Sequence, residues 1–225
     1  MTRRTVAILG GVLAAAGLVL ASTATADPSH RPAGASGAAV DRVSLTARPT
    51  TISGLQPTLL FGAVSSGREN EEVTIQAKDC GQRSFLGVAA VQTHAGGTFN
   101  LDFGRGVSTT VRAVWRDAVS APITIRQQIR VDFSRLGSGK FSVSAVGRAS
   151  LWRKKMQIQR RQGGKWRTVR TVILSDSGAA PGSPYVWNTA TFAMKVPRGS
   201  LLRAMLPLAQ ARPCFLAGTS RTLTT

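Results

Sequence analysis

The chain has 225 residues, with 29 Lys and Arg against 10 Asp and Glu, a net charge of +19 and 43% apolar residues. That apolar content is enough for a packed core and excludes a disordered polyelectrolyte. The two cysteines, Cys80 and Cys214, lie 134 residues apart with no CxxC motif or histidine cluster nearby, which argues against a structural zinc site, since that takes about four close ligands.

The chain opens with "MTRR", then the apolar run "TVAILGGVLAAAGLVLAS", then small residues at Ala24 and Ala26 before Asp27. A basic start, an apolar stretch and a small-residue site predict a signal peptide over 1–26, cleaved after Ala26. The run is short for a membrane-spanning helix, so an uncleaved anchor is the weaker reading. The residue just after the predicted cleavage site is Asp27, not cysteine, and "GTSRTLTT" at the C-terminus carries no apolar tail. The mature chain is therefore expected to be secreted and extracellular, free or associated with the cell wall, with no transmembrane segment.

Residues 27–41, beginning "DPSHRPAGASGAAV", are small residues and proline. They read as a flexible lead-in, with His30 a solvated tail residue. Strands follow. "RVSLTARP", "PTLLFGAV", "EVTIQAK", "SFLGVAAVQT", "GTFNLDF", "TTVRAVW" and "APITIR" are short β-branched or alternating runs separated by Gly, Ser and Pro. That spacing predicts an all-β sandwich or barrel. No sustained helical period with caps occurs beyond the signal peptide.

The pattern then starts again with "IRVDFS", "GKFSVSAV", "KMQIQRR", "KWRTVRTVIL", "ATFAMKV", "SLLRAML" and "SRTLTT". "VTIQAK" at 73–78 aligns with "MQIQRR" at 156–161, and "TFNLDF" at 98–103 with "TFAMKV" at 191–196. "VRAVW" at 111–115 aligns with "LRAML" at 202–206. Phe85, Val88 and Val91 match Trp166, Val169 and Val172, with the same spacing. The second half carries an extra loop, "SDSGAAPGSP", at 175–184. An internal repeat of roughly 80–100 residues means two copies of one domain, and that length suits an immunoglobulin-like sandwich. The fold expected is all-β: two tandem immunoglobulin-like β-sandwiches, domain 1 over 42–126 and domain 2 over 127–225. They join near Arg126–Gln128 with almost no linker and limited freedom between them.

The order "VTIQ … CG … THAGGTF … TTVRAVW … SAPITI", followed by "QRRQGGKWRTV", resembles the tandem Ig-like domains of actinobacterial exported proteins. The resemblance covers about 43–225 and implies the fold; it implies no particular activity, because this fold hosts many. The antibody arrangement of two cysteines bracketing a tryptophan is missing from both halves.

The most unusual stretch is "RKKMQIQRRQGGKWRTVR" at 153–170. Its cations are Arg153, Lys154, Lys155, Arg160, Arg161, Lys165, Arg167 and Arg170, and no acid interrupts them. Met156 and Ile158 alternate with Lys155, Gln157 and Gln159, and "QGGK" supplies a glycine turn. The stretch therefore reads as a hairpin whose basic residues project mostly outward from an apolar inner face. A disordered basic arm would lack the alternation. Trp152 reads as a partly buried packing residue, or alternatively as a face for stacking a sugar. Arg112 and Arg203 occupy matching strand positions and read as structural, their stems covering the sheet while their heads reach water.

Residues 127–225 hold 17 basic and 2 acidic residues, net +15, whereas 27–126 hold 10 basic and 8 acidic, net +2. Twin domains with such different charge show that the charge is no requirement of the fold. A field of that strength attracts polyanions. The partner classes considered are an anionic cell-wall polymer, a lipid surface, and a protein. Export weighs against nucleic acid. A basic surface that merely keeps the chain soluble is the bland alternative. In binding, arginine forks onto phosphate or carboxylate and lysine acts as a point charge.

Nothing in the sequence assembles catalysis. His94 lies in a predicted turn, and no "GxSxG" elbow exists. "GSGK" at 137–140 lacks the glycine five positions before Gly139 and opens a strand, so it is no phosphate loop. Glu69, Glu71 and Glu72 share the polar turn "GRENEE", read as a solvated loop, with a weak calcium site as the sharper alternative. The chain reads as non-catalytic, without cofactor or metal. The expected role is structural or adhesive at the cell envelope, with an accessory protein–protein interaction module as the alternative.

Each domain has one cysteine. Cys80 follows the "VTIQ" strand and Cys214 precedes the last strand of domain 2. In an oxidising compartment a bridge would have to cross between domains or between molecules. An interdomain Cys80–Cys214 disulfide is expected; two free thiols or a linked dimer are the alternatives.

Overall fold

The computed structural model describes residues 40–225. The predicted signal peptide, most of the lead-in and His30 lie outside the described residues.

The first half contributes β1 (Thr46–Arg48), β2 (Thr51–Ser53), β3 (Thr58–Ala63), β4 (Glu72–Asp79), β5 (Leu86–Gln92), β6 (Thr98–Phe103), β7 (Thr109–Trp115), β8 (Ala118–Val119) and β9 (Ile123–Gln128). They form two sheets, ordered β1-β3-β6 and β2-β9-β7-β4-β5, with β8 added to β7. The second half contributes β10 (Arg130–Gly137), β11 (Lys140–Gly147), β12 (Lys155–Gln162), β13 (Lys165–Ile173), β14 (Asp176–Gly178), β15 (Val186–Ala193), β16 (Leu201–Leu206), β17 (Gly218–Thr219) and β18 (Leu223–Thr224). Their sheets are β10-β11-β15-β14 and β13-β12-β16-β17, with β18 also on β16. The strand orders correspond apart from β2 in the first half and β14 in the second, and they are those of two tandem immunoglobulin-like sandwiches.

Alternation places the core. On β7 the buried apolar residues are Val111, Ala113 and Trp115; on β16 they are Leu202, Ala204 and Leu206. These pack with Leu60, Ile75 and Phe99 in the first sandwich and with Phe141, Met156 and Ile158 in the second. The repeat extends to irregularities. The β4–β5 ladder skips Val88 and the β12–β13 ladder skips its counterpart Val169. This bulge puts Trp166 on the outer face although Val172, six residues on, is buried in the core. An uninterrupted strand would place both on one side.

Several sequence expectations shift. The 175–184 segment, expected as loop, begins with β14, which pairs with β15. The strand expected over 190–196 runs instead from Val186 to Ala193, and "SRTLTT" supplies only the two residues of β18. A four-residue helix, α1 (Leu208–Ala211), follows β16, too short to leave a periodic signal. β9 runs on to Gln128, two residues past the expected end of domain 1, and only Ile129 separates it from β10.

The junction is built from interlocked backbone. The Ser108 amide donates to the Cys214 carbonyl, and the Cys80 amide donates to the Ser108 carbonyl. Leu216 donates to the Gln127 carbonyl, and Ile129 donates to the Leu216 carbonyl. Gly218 is required there, since a Cβ would lie 2.2 Å from the Ile129 carbonyl oxygen. Val107, on the β6–β7 connection of the first sandwich, is buried in the core cluster of the second.

Candidate functional site

The basic hairpin is β12–β13. Its ladder pairs Lys155 with Ile173, Ile158 with Arg170, Arg160 with Arg167, Arg161 with Trp166 and Gln162 with Lys165. Successive residues of a strand leave opposite faces. Lys155 and Arg161 therefore stand on the outer face. Arg160, Lys165, Arg167 and Arg170 stand on the core side, where the sandwich opens along its β13 edge. This corrects the expectation that the basic residues project mostly outward. Arg170 shows how such a position is tolerated: its guanidinium donates to the Ala193 carbonyl and lies 5.3 Å from the Phe192 ring centroid. It closes the gap between the two sheets.

Arg153 and Lys154 precede the hairpin. Arg153 adopts a left-handed φ of 62°, uncommon for a residue with a side chain. The turn is held by amides: Arg153 donates to the Leu174 carbonyl and Lys154 to the Leu151 carbonyl. Trp152 is 54% exposed, more open than the packing role expected of it. Its indole N–H donates to the Ser175 carbonyl, 3.2 Å away, and Arg153 lies over its ring.

Among the described residues the ion pairs are Arg105–Asp79, Arg116–Asp41, Arg116–Glu71 and Arg130–Asp132. None involves the eight candidate cations, and six of these are exposed, Arg160 and Lys154 being half-buried.

The outer faces carry a motif repeated in both sandwiches. Arg112 Nε donates to Gln76 Oε1 over 2.8 Å and its guanidinium lies 4.2 Å from the Phe85 centroid. Arg203 Nε donates to Gln159 Oε1 over 2.8 Å and lies 4.3 Å from the Trp166 centroid. Burial lowers the Arg203 pKa, but an arginine stays charged in this range. The two arginines are thus held at their heads as well as along their stems. Beside each, a serine repeats: Ala113 donates to Ser120 Oγ and Ala204 to Ser220 Oγ, both over 2.9 Å.

The interdomain expectation is met. Cys80 and Cys214 form a disulfide with Cα atoms 5.3 Å apart. Next to it, Arg105 holds Asp79 through two bonds of 3.1 and 2.6 Å, and Thr109 donates to the same carboxylate over 2.7 Å. Burial alone would raise the Asp79 pKa. The bonds from Arg105 and Thr109, with the charges of Arg105 and Arg148, outweigh it and lower the pKa. Sequence reasoning missed this group, because its members are up to 30 residues apart.

Of the residues tested for catalysis or calcium, Glu71 pairs with Arg116 over 2.8 Å and accepts from Ser66. His94 is exposed and precedes a short 3-10 turn. Among the described residues no three acids, histidines or cysteines gather as a metal site, and no helix is long and apolar enough to cross a membrane.

No family model and no curated protein matches the chain. Among solved structures it is similar to a tetra-tandem repeat in the extending region of a large adhesion protein, at 14% identity and a TM-score of 0.31. That similarity covers 82% of this chain and 48% of the other, so the chain spans about half its length. The score falls below that of a shared fold, and the assignment of two sandwiches rests on the strand orders above.

Proposed function

We propose that the chain is an exported, non-catalytic structural or adhesive protein of the cell envelope, in keeping with its resemblance to the tandem Ig-like domains of actinobacterial exported proteins. Its second sandwich binds an anionic polymer of the wall through the basic β12–β13 region. One observation carries this reading. The two sandwiches share strand order, bulge and outer-face motif, yet only the second carries eight closely spaced cations without a single acidic partner. Unpaired like charges repel one another, which works against the compact state. Retaining them in one twin alone is accounted for by an external anion.

The test is sedimentation with isolated cell walls across a salt series, beside the variant Lys154→Gln, Lys155→Gln, Arg160→Gln, Arg161→Gln. The reading expects binding at low salt that weakens steeply as salt rises and is lost in the variant. Absence of binding at every salt concentration overturns it.

A second reading, an accessory module that binds protein, is favoured by β5. This edge strand, "LGVAAVQ", carries no charge and no proline, whereas its counterpart β13 carries Lys165, Arg167 and Arg170. Bare edge strands can pair with another chain. Such binding would barely respond to salt.

A further inference from the structure

The hairpin cations are only part of a larger cluster. In the second sandwich, one end meets the first: Ile129, Gly147 and Phe215 gather there, with Phe215 against Gly147. The opposite end is formed by the β10–β11 turn, the β12–β13 turn and the β15–β16 connection. Antiparallel pairing brings these together. Gly137 pairs with Lys140, Lys140 with Ala193, and Gln162 with Lys165. The Met194 amide donates to the Gly139 carbonyl over 2.8 Å, and Arg170 ties the hairpin to the end of β15 through the Ala193 carbonyl.

At this end stand Arg135, Lys140, Arg160, Arg161, Lys165, Arg167, Lys195 and Arg198. All but Arg160 are exposed. No acid is among them: the two acids of this half, Asp132 and Asp176, lie on β10 near its start and at the start of β14, and Asp132 is paired with Arg130. Arg135, Lys140, Lys195 and Arg198 lie outside the hairpin altogether. Arg135, Gly139, Met194 and Lys195 line a cleft of about 240 Å³ at the same place. A free sandwich end calls for polar residues, as the contrast of buried Ala77 with Arg160 at the matching position illustrates. Polarity alone does not call for eight cations and no anion.

We infer that this free end of the second sandwich, rather than the face of its sheet, is the anion site, and that its ligand is a thin linear polymer carrying phosphate or carboxylate groups. The inference rests on the proposed polyanion reading and adds four residues to it. Geometry selects the polymer over a flat lipid surface. Arg160 and Arg161 leave opposite faces of one strand, and further cations stand on the β10–β11 turn and the β15–β16 connection. A flexible chain can wrap round that end and meet both sets, whereas a bilayer plane meets one set at a time. Five of the eight are arginines, whose forked donors suit either oxyanion.

The test measures binding of the mature protein to poly(glycerol phosphate), to polygalacturonate and to vesicles containing phosphatidylglycerol. Two variants of equal charge loss are compared. One is Arg135→Gln, Lys140→Gln, Lys195→Gln, Arg198→Gln. The other removes exposed arginines elsewhere: Arg68→Gln, Arg83→Gln, Arg126→Gln, Arg212→Gln. The expected result is loss of about tenfold or more in polymer affinity for the first variant and less than about threefold for the second, with the slope of log K against log salt reduced by roughly 3 in the first, at roughly 0.7 per contact. Circular dichroism checks that both variants are folded. Equal losses in the two variants would overturn the end site while leaving the polyanion reading intact. Tighter binding to vesicles than to either polymer would also overturn it. Failure of the unmodified protein to bind any of the three would remove the polyanion reading itself.

Discussion

The guanidinium of Arg203 lies 4.3 Å from the centroid of the Trp166 ring while its Nε donates to Gln159. The first sandwich repeats this with Arg112, Phe85 and Gln76. A planar cation between an amide oxygen and an aromatic face stitches three neighbouring strands across the outside of each sheet. Lysine has no planar fork to satisfy both partners. Arg203→Ala is expected to lower unfolding stability by about 1–3 kcal/mol, from a lost hydrogen bond and a lost cation–π contact. Urea denaturation of Arg203→Ala, Trp166→Ala and the double variant should give a coupling of about 0.5–1 kcal/mol. Strict additivity would show that the stacking contributes nothing.

The Cys80–Cys214 bridge closes a loop spanning 134 residues. In the chain-entropy model a loop of that size contributes about 5 kcal/mol, and measured values run from about 2 to 5. Cys80→Ser with Cys214→Ser is expected to lower the melting temperature and to make it insensitive to reductant, whereas the unmodified protein melts lower once reduced. A melting curve unmoved by reduction would contradict a stabilising clamp.

Val107 belongs by sequence to the first sandwich and by burial to the core of the second. Val107→Ala should cost about 1–3 kcal/mol, as large-to-small core changes do. Its readout is regional. Hydrogen exchange should quicken around Ile129, Leu151 and Phe215 of the second core. Faster exchange confined to the first sandwich would refute the cross-domain packing.

Asp79 gives the junction a pH dependence with a defined sign. Its folded pKa is lowered, relative to an unfolded value near about 3.9. The stabilisation is therefore fully present above that value and is lost as pH falls through the folded pKa. The stability gap between the unmodified protein and Asp79→Asn should narrow below about pH 4. A gap that stays constant from pH 7 to pH 3 would refute this.

Much of the fold is legible in the sequence, because alternation and repetition survive in the two copies independently. The spacing shared by Phe85–Val88–Val91 and Trp166–Val169–Val172 already holds the bulge, which the ladders reveal at Val88 and Val169. The Gln–Arg–aromatic motif was present as three separate matches; which side chain touches which needs the strand order. The lone cysteine in each half carried the bridge. The junction was not legible, since nothing periodic assigns Val107 to the neighbouring core. The gathering of Arg135, Lys140, Lys195 and Arg198 was hidden because turns far apart in sequence bring them together. The outward placement of the hairpin cations fails for Arg160, Lys165, Arg167 and Arg170: alternation continues past the core, and at an open edge a core-side position can hold a charge.

The most direct test of the central claim is the affinity of the protein for poly(glycerol phosphate) measured from about 25 to 300 mM salt. The account predicts a linear fall of log K with log salt, with a slope of magnitude about 4 or more for six or more phosphate contacts at roughly 0.7 each. A flat line, or no binding at the lowest salt, would contradict it.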